Sequence, residues 1–393
     1  MIRLKVTHAQ DIKRIKNLLE ENQWLNKSFK IEKSDSVFHI YTILESLPEK
    51  LSHLQWDRYE MEKPVQSLTS IRDKYCNENN VPYFDVPKRW TVYPPMLLFS
   101  TNTEDSLPRE FCSYLLHHYQ AMFGNKSLTH IALNRPIIES DVIRRPTNLV
   151  PLYGDFGPEV TDVPTVKDFD DAFWCSVVQN GIHQTWAPKY TMFSRGNIKE
   201  KKRILDSYKG LKGTIVFDFY CGIGYFSLSY LRNGAKVLCW ELNPWSIEGF
   251  RRSLEHAGYR YKIYGEGDSF SSDDVKKYDA CLFLENNEEI PQRLEYVQRN
   301  SLNISHINLG LLPTSRHSWP IANNLIAEKS NSSTIIHVHE NVHVDEFDKM
   351  KGEIESSYDN GVVTHIEKIK TFAPDVWHAV FDVVIDKNCG VAH

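Results

Sequence analysis

From Thr214 onward, short apolar runs alternate with amphipathic stretches. Thr214-Ile-Val-Phe-Asp218 shows no polar alternation, as expected of a strand buried on both faces. Lys236-Val-Leu-Cys-Trp-Glu241 repeats the pattern, and Tyr261-Lys-Ile-Tyr264 predicts a third strand. Further strands are predicted over 304–312, 334–339, 363–371 and 376–386, the last two close enough to form an antiparallel edge hairpin. The strand-like run 278–284 has no fixed place and is read as part of an insertion between the third and fourth strands. Alternation of strand and helix implies an α/β fold, a mostly parallel sheet with crossover helices. Upstream, Ala9 to Asn22 has helical periodicity, 37–43 is strand-like, a helix is predicted over 109–123 and a strand over 130–133. The runs 172–178 and 181–186 read as a hairpin before the sheet, following a loop over 152–167. The predicted organisation is an α+β unit over 1–90, a second small α+β unit with linker over 91–155, and the sheet domain over 156–393.

The first predicted strand opens into Asp218-Phe-Tyr-Cys-Gly222-Ile-Gly224-Tyr-Phe226. Glycine lets backbone approach a ligand closely, and the helix that follows presents free N–H groups. Glu241, at the tip of the next strand, suits two ribose hydroxyls. A dinucleotide fingerprint would place a third glycine at 227, where the chain has Ser227. Asp-x-x-x-Gly-x-Gly with an acidic second strand resembles class I S-adenosylmethionine (SAM) enzymes instead, with a Rossmann-like methyltransferase fold. On this reading Asp218, Gly222, Gly224 and Glu241 surround the cofactor, and Asp268, at the end of the third strand, meets the adenine amine.

Composition constrains the partners. No apolar run reaches membrane-spanning length, so no membrane partner is expected. The seven cysteines are scattered without a Cys-x-x-Cys pair, which predicts reduced thiols, a cytoplasmic protein and no zinc cluster. Net charge is −5, yet 195–212 holds seven basic residues against Glu200 and Asp206. Such focused charge beside the glycine turn could hold a phosphate backbone or form a solvated helix face.

Asn197 and Glu200 have capping-box spacing ahead of a helix, which leaves Ser194 and Lys201 free to face the cofactor's carboxylate and amino group. After Asn308 the chain continues Leu-Gly-Leu-Leu-Pro313, without the Pro-Pro-aromatic clamp of amino-methyltransferases. His337, His339 and His343 are spaced like a metal trio but lack an accompanying carboxylate motif, so strand-end hydrogen bonding is expected and no metal. Tyr225, Trp245 and Trp319 fall near strand ends, where aromatic rings can stack on a base.

Several ordered motifs carry a closer resemblance: Phe193-Ser-x-Gly-Asn197, Asp218 to Phe226, Glu241-x-Asn-Pro-Trp245, Asn308 to Ser315, Trp319-Pro, His337-x-His-x-Asn-Val342 and Trp377-His-x-Val-x-Asp382. Over about residues 130–390 the chain resembles the tRNA wybutosine-synthesizing protein 2 family, related in fold to tRNA guanine-37 N1-methyltransferases. The resemblance implies transfer of SAM's 3-amino-3-carboxypropyl group to C7 of 4-demethylwyosine at position 37 of phenylalanine tRNA, with the anticodon loop as partner. It implies SAM contacts at Ser194, Lys201, Glu241, Asp268 and Ser269, and tRNA docking by the first unit. Catalysis would be orientation by Ser194 and Lys201, with Asn308 and His317 as further candidates and no fixed general base. A monomer is expected. The rival readings are guanine-37 N1-methylation and a non-catalytic tRNA-binding scaffold that keeps a decayed SAM fold.

Overall fold

The computed structural model describes residues 1–27, 29–34, 37–59, 67–100, 107–124, 127–134, 149–159 and 163–386. The chain divides into two compact units, Met1–Tyr83 and Phe84–His393.

In the first unit, strands Glu32–Ser34, Val37–Tyr41, Ile2–Val6 and Gln55–Arg58 lie in that order in an antiparallel sheet. Helix Ala9–Glu21 places Ile15 and Leu19 on one face, four residues apart, and buries them with Leu4 and Ile40. A second helix, Leu68–Asn79, buries Leu68, Ile71, Tyr75 and Cys76, spaced to share one face. Its start is set by the Ser67 side chain accepting from the Ser70 N–H, and its end by the left-handed Asn80.

The second unit holds a four-stranded sheet in the order Arg89–Tyr93, Met96–Ser100, His130–Asn134, Leu149–Tyr153. The predicted hairpin is present as Cys175–Gln179 against Ile182–Trp186. Inside the stretch read as loop and apolar run, helix Val166–Asp171 forms, started by a capping box between Thr165 and Asp168.

The large sheet has eight strands: β1 (Ile215–Asp218), β2 (Lys236–Trp240), β3 (Tyr261–Tyr264), β4 (Ala280–Phe283), β5 (Ile304–Leu309), β6 (Thr334–His343), β7 (Gly361–Ala373) and β8 (Val376–Ile385). Their order is β3-β4-β2-β1-β5-β6-β8-β7, parallel through β6, with β8 antiparallel to both β6 and β7. The α/β fold and the antiparallel edge pair are therefore present. The run 278–284 becomes β4, inserted between β2 and β3 through the pairings Val237↔Ala280 and Tyr261↔Ala280.

Four aromatic rings tie this half of the sheet together. Phe217, Trp240, Phe283 and Tyr264 stack in sequence across β1, β2, β4 and β3, with centroids 5.8, 4.3 and 4.7 Å apart. All four are buried, and such stacks contribute about 0.5–1.5 kcal/mol per pair beyond the area removed from water. The ladder holds the C-terminal ends of β2 and β4 side by side, where the polar residues of the site begin.

Candidate functional site

At β1 the strand order reverses, with β2 on one side and β5 on the other, so a crevice opens beyond the strand C-termini. A cavity of about 460 Å³ occupies it. Its walls come from the 191–197 loop, the 219–226 turn, the ends of β2, β4 and β5, and Lys370 with Phe372 of β7.

The turn is built on Asp218, which is fully buried. It accepts from Ser227 Oγ at 2.6 Å, from Asn308 Nδ2 at 3.2 Å and from the Tyr220 N–H at 3.4 Å. Burial raises its pKa to about 6 against the opposing pull of these donors. Ser227 thus stands where a third glycine would otherwise sit because its hydroxyl anchors the strand-end acid. Asp218 braces the turn and does not line the cavity. Gly224, at φ +80°, is required by close packing: a Cβ there would lie 2.5 Å from the Phe250 ring. Gly222 lines the cavity directly.

Glu241 lines the cavity as well. Its Oε2 accepts from the Gly222 N–H at 2.9 Å and its Oε1 from the Asn243 N–H at 2.8 Å. The carboxylate keeps acceptor capacity on the cavity side, which a ribose hydroxyl requires. Burial raises its pKa.

The structure places Asp268 and Ser269 away from this cavity. Insertion of β4 moves the end of β3 one strand spacing outward, about 4.8 Å. Both residues are exposed, and Asp268 Oδ2 closes its own turn by accepting from the Gly265 N–H at 2.8 Å. The wall beside Trp240 and Leu242 is formed instead by Glu285, Asn286 and Asn287 at the end of β4. Glu285 accepts from Trp240 Nε1 at 3.2 Å and pairs with Arg293 at 2.5 Å, and Arg293 also binds the Gly265 and Asp268 carbonyls. Asn287 Nδ2 donates to the Phe219 carbonyl at 3.0 Å. The sequence signal for these three residues is a polar cluster closing the apolar run 280–283.

Ser194 and Asn197 line the cavity opposite Glu241's strand. Asn197 precedes helix Ile198–Ser207, but its side chain caps nothing, and Glu200 pairs with Arg203 at 2.6 Å, so the expected capping box does not form. Asn197 Oδ1 is buried without a partner. Lys201 lies behind the wall, 3% exposed. Its Nζ donates to Gln179 Oε1 and Gln184 Oε1, each at 2.9 Å, and sits 5.0 and 5.1 Å from the Phe193 and Tyr225 rings. Burial lowers its pKa to about 7. The Tyr225 hydroxyl accepts from the Ser194 N–H at 3.1 Å and donates to the Met192 carbonyl, so this ring stands between Lys201 and the loop.

Beyond β5, Gly310 to Pro313 line the cavity. Asn308 turns inward to Asp218, and His317 is exposed outside the cavity. Trp245 is packed on Tyr190 at 3.7 Å and Trp319 donates to Ser315 Oγ at 3.1 Å, both buried, which leaves Tyr225 as the aromatic of those three that reaches the site. His337 is held between Asp382 at 2.7 Å and His306 at 3.0 Å, and His339 meets His378 at 3.0 Å. The basic run is largely engaged: Arg203 pairs with Glu200 and Asp382, Lys199 with Glu367, Lys202 with Asp206. No helix among the described residues is long and apolar enough to cross a membrane.

Comparison with known proteins matches residues 176–273 to the TRM5/TYW2 methyltransferase domain. The tRNA wybutosine-synthesizing protein 2 of Schizosaccharomyces pombe is 38% identical over 351 residues, covering 86% of this chain and 81% of that protein. The Saccharomyces cerevisiae protein of that name is 37% identical over 356 residues, covering 76% and 74%. Among solved structures, Pyrococcus horikoshii TYW2 in complex with MeSAdo has a TM-score of 0.52 at 20% identity, over 81% of this chain and 98% of that one. Trm5b from Pyrococcus abyssi also gives 0.52, at 15% identity, over 98% and 99%. These two likenesses establish the shared fold.

Proposed function

The chain belongs to the tRNA wybutosine-synthesizing protein 2 family, and from that premise we propose that it transfers the 3-amino-3-carboxypropyl group of SAM to C7 of 4-demethylwyosine at position 37 of phenylalanine tRNA. The observation that carries the reading is the 38% identity to the fission-yeast relative across most of both chains, together with a cavity at the strand reversal whose residues suit SAM.

The fit rests on three features. Glu241 lines the cavity with acceptor capacity for a ribose hydroxyl. Gly310 forms a cradle that a side chain would fill, since a Cβ there would lie 3.1 Å from Asn308 Nδ2 and 3.3 Å from the Phe226 ring. Asn197 Oδ1 is an acceptor awaiting a donor. The exposed rim residues Leu242 and Phe372 offer apolar surface to an extruded base, worth about 1–3 kcal/mol when a base stacks on an aromatic ring.

Bound SAM supplies an activated γ-carbon: the base carbon bonds to it, the carbon–sulfur bond breaks, 5′-methylthioadenosine leaves, and the ring proton passes to water. The protein's contribution is orientation. Glu241 fixes the ribose, the Ser194–Asn197 loop holds the amino-acid end, and the Gln179–Lys201–Gln184 cluster with Tyr225 keeps that loop in place from behind. Asp268 and Ser269 act from outside the wall, through the turn that Arg293 ties to Glu285. We assign tRNA docking to the unit Met1–Tyr83 and the reaction to the cytoplasm, where the buried free thiols Cys76, Cys112, Cys175, Cys221, Cys239 and Cys281 stay reduced.

Purified protein incubated with SAM and phenylalanine tRNA bearing 4-demethylwyosine should yield a nucleoside heavier by one aminocarboxypropyl group. A product heavier by one methyl would favour the N1-methyltransferase reading, and an unaltered nucleoside the scaffold reading.

A further inference from the structure

Lys370 comes from edge strand β7, far in sequence from the 193–197 motif, yet its side chain reaches the cavity wall. It lies directly over Gly196: a Cβ on that glycine would stand 2.7 Å from both Cδ and Nζ of Lys370. The glycine of the Ser-x-Gly-Asn motif is therefore the gap through which this cation enters. No other lysine or arginine lines the cavity among the described residues.

Lys370 is half-buried, and burial alone lowers its pKa, so no neighbouring carboxylate offsets its charge. No ion pair joins it to either carboxylate of the cavity: Glu285 pairs with Arg293, and Glu241 accepts from the Gly222 and Asn243 N–H groups. Beside Lys370, on the loop it crosses, Asn197 presents its buried, unpartnered Oδ1. A cation without an anion next to an acceptor without a donor matches an amino acid zwitterion, whose carboxylate needs the first and whose ammonium needs the second.

We propose that Lys370 Nζ binds the carboxylate of the SAM amino-acid tail, with Asn197 Oδ1 accepting from its ammonium, so that β7 and Gly196 aim the γ-carbon at the base. This rests on the SAM-dependent reading above and adds the group that fixes the tail. Lysine suits the task as a point charge, and a charge-assisted bond of this kind is worth about ten- to a hundredfold in affinity.

Calorimetric titration of the full chain with SAM and with 5′-methylthioadenosine, which lacks the tail, tests it. Lys370→Met should weaken SAM binding about ten- to a hundredfold and leave 5′-methylthioadenosine binding unchanged. Gly196→Ala, which displaces the lysine while keeping its charge, should reproduce the split, and Lys370→Arg should restore most of the SAM affinity. Equal losses for both ligands, or SAM binding at the wild-type level in Lys370→Met, would overturn the assignment. So would a loss confined to tRNA binding, which would make Lys370 a phosphate contact. Failure of the wild-type chain to bind SAM would instead defeat the functional reading on which the assignment stands.

Discussion

Replacing Lys201 with methionine should change how stability depends on pH. The ammonium is 3% exposed, held by two glutamine carbonyls at 2.9 Å and flanked by two aromatic rings. Burial brings its pKa from 10.5 to about 7. A depression of roughly 3.5 units at 1.36 kcal/mol per unit corresponds to about 5 kcal/mol. That figure is a ceiling, because the two carbonyl acceptors favour the charged form. The sign follows from proton counting. Between pH of about 7 and 10.5 the unfolded chain holds this proton more tightly than the folded one, so Lys201 makes stability rise with pH across that window, and the gain is lost as pH falls toward 7. Urea unfolding of wild type and Lys201→Met at pH 7, 8 and 9 isolates the effect, since other groups titrating there are common to both chains. Wild-type stability should climb relative to the variant by up to about 1.4 kcal/mol per pH unit. A difference that stays flat with pH would refute the argument that this lysine is desolvated behind Tyr225.

Two further substitutions probe the site and the frame behind it. Glu241→Ala removes the ribose acceptor and leaves the Gly222 and Asn243 N–H groups unpaired, so SAM affinity should fall by about ten- to a hundredfold in calorimetry; binding within twofold of wild type would contradict the placement. Arg203→Met leaves the buried Glu200 without its cation and leaves Asp382 to His337 and Tyr208, with an expected loss of about 3–5 kcal/mol in urea unfolding; a loss below about 1 kcal/mol would mean the network is hydrated.

Much of the site was legible because its signals are local. The apolar run closing in Asp218, the Gly222-x-Gly224 turn and the acid at Glu241 each need only a few neighbouring residues to take shape, and Gly222 and Glu241 line the cavity. Asp268 has the sequence position of a third strand-end acid, because β3 follows β2 in the chain. Its displacement depends on β4 pairing with both, a choice made by long-range contacts such as Val237↔Ala280. Lys201 carries the right charge at the right spacing, but whether it faces the cavity depends on the orientation of Tyr225 and on Gln179 and Gln184 from the preceding hairpin. Lys370 gave no signal, since a lysine on an edge strand is ordinary and only the fold brings it over Gly196.

The central claim concerns which carbon of SAM leaves with the base. SAM labelled either at the methyl carbon or at the carboxyl carbon can be supplied in parallel reactions with 4-demethylwyosine-containing phenylalanine tRNA. The account predicts that carboxyl label enters the tRNA while methyl label is recovered in 5′-methylthioadenosine. Methyl label in the tRNA, with carboxyl label recovered in S-adenosylhomocysteine, would contradict it.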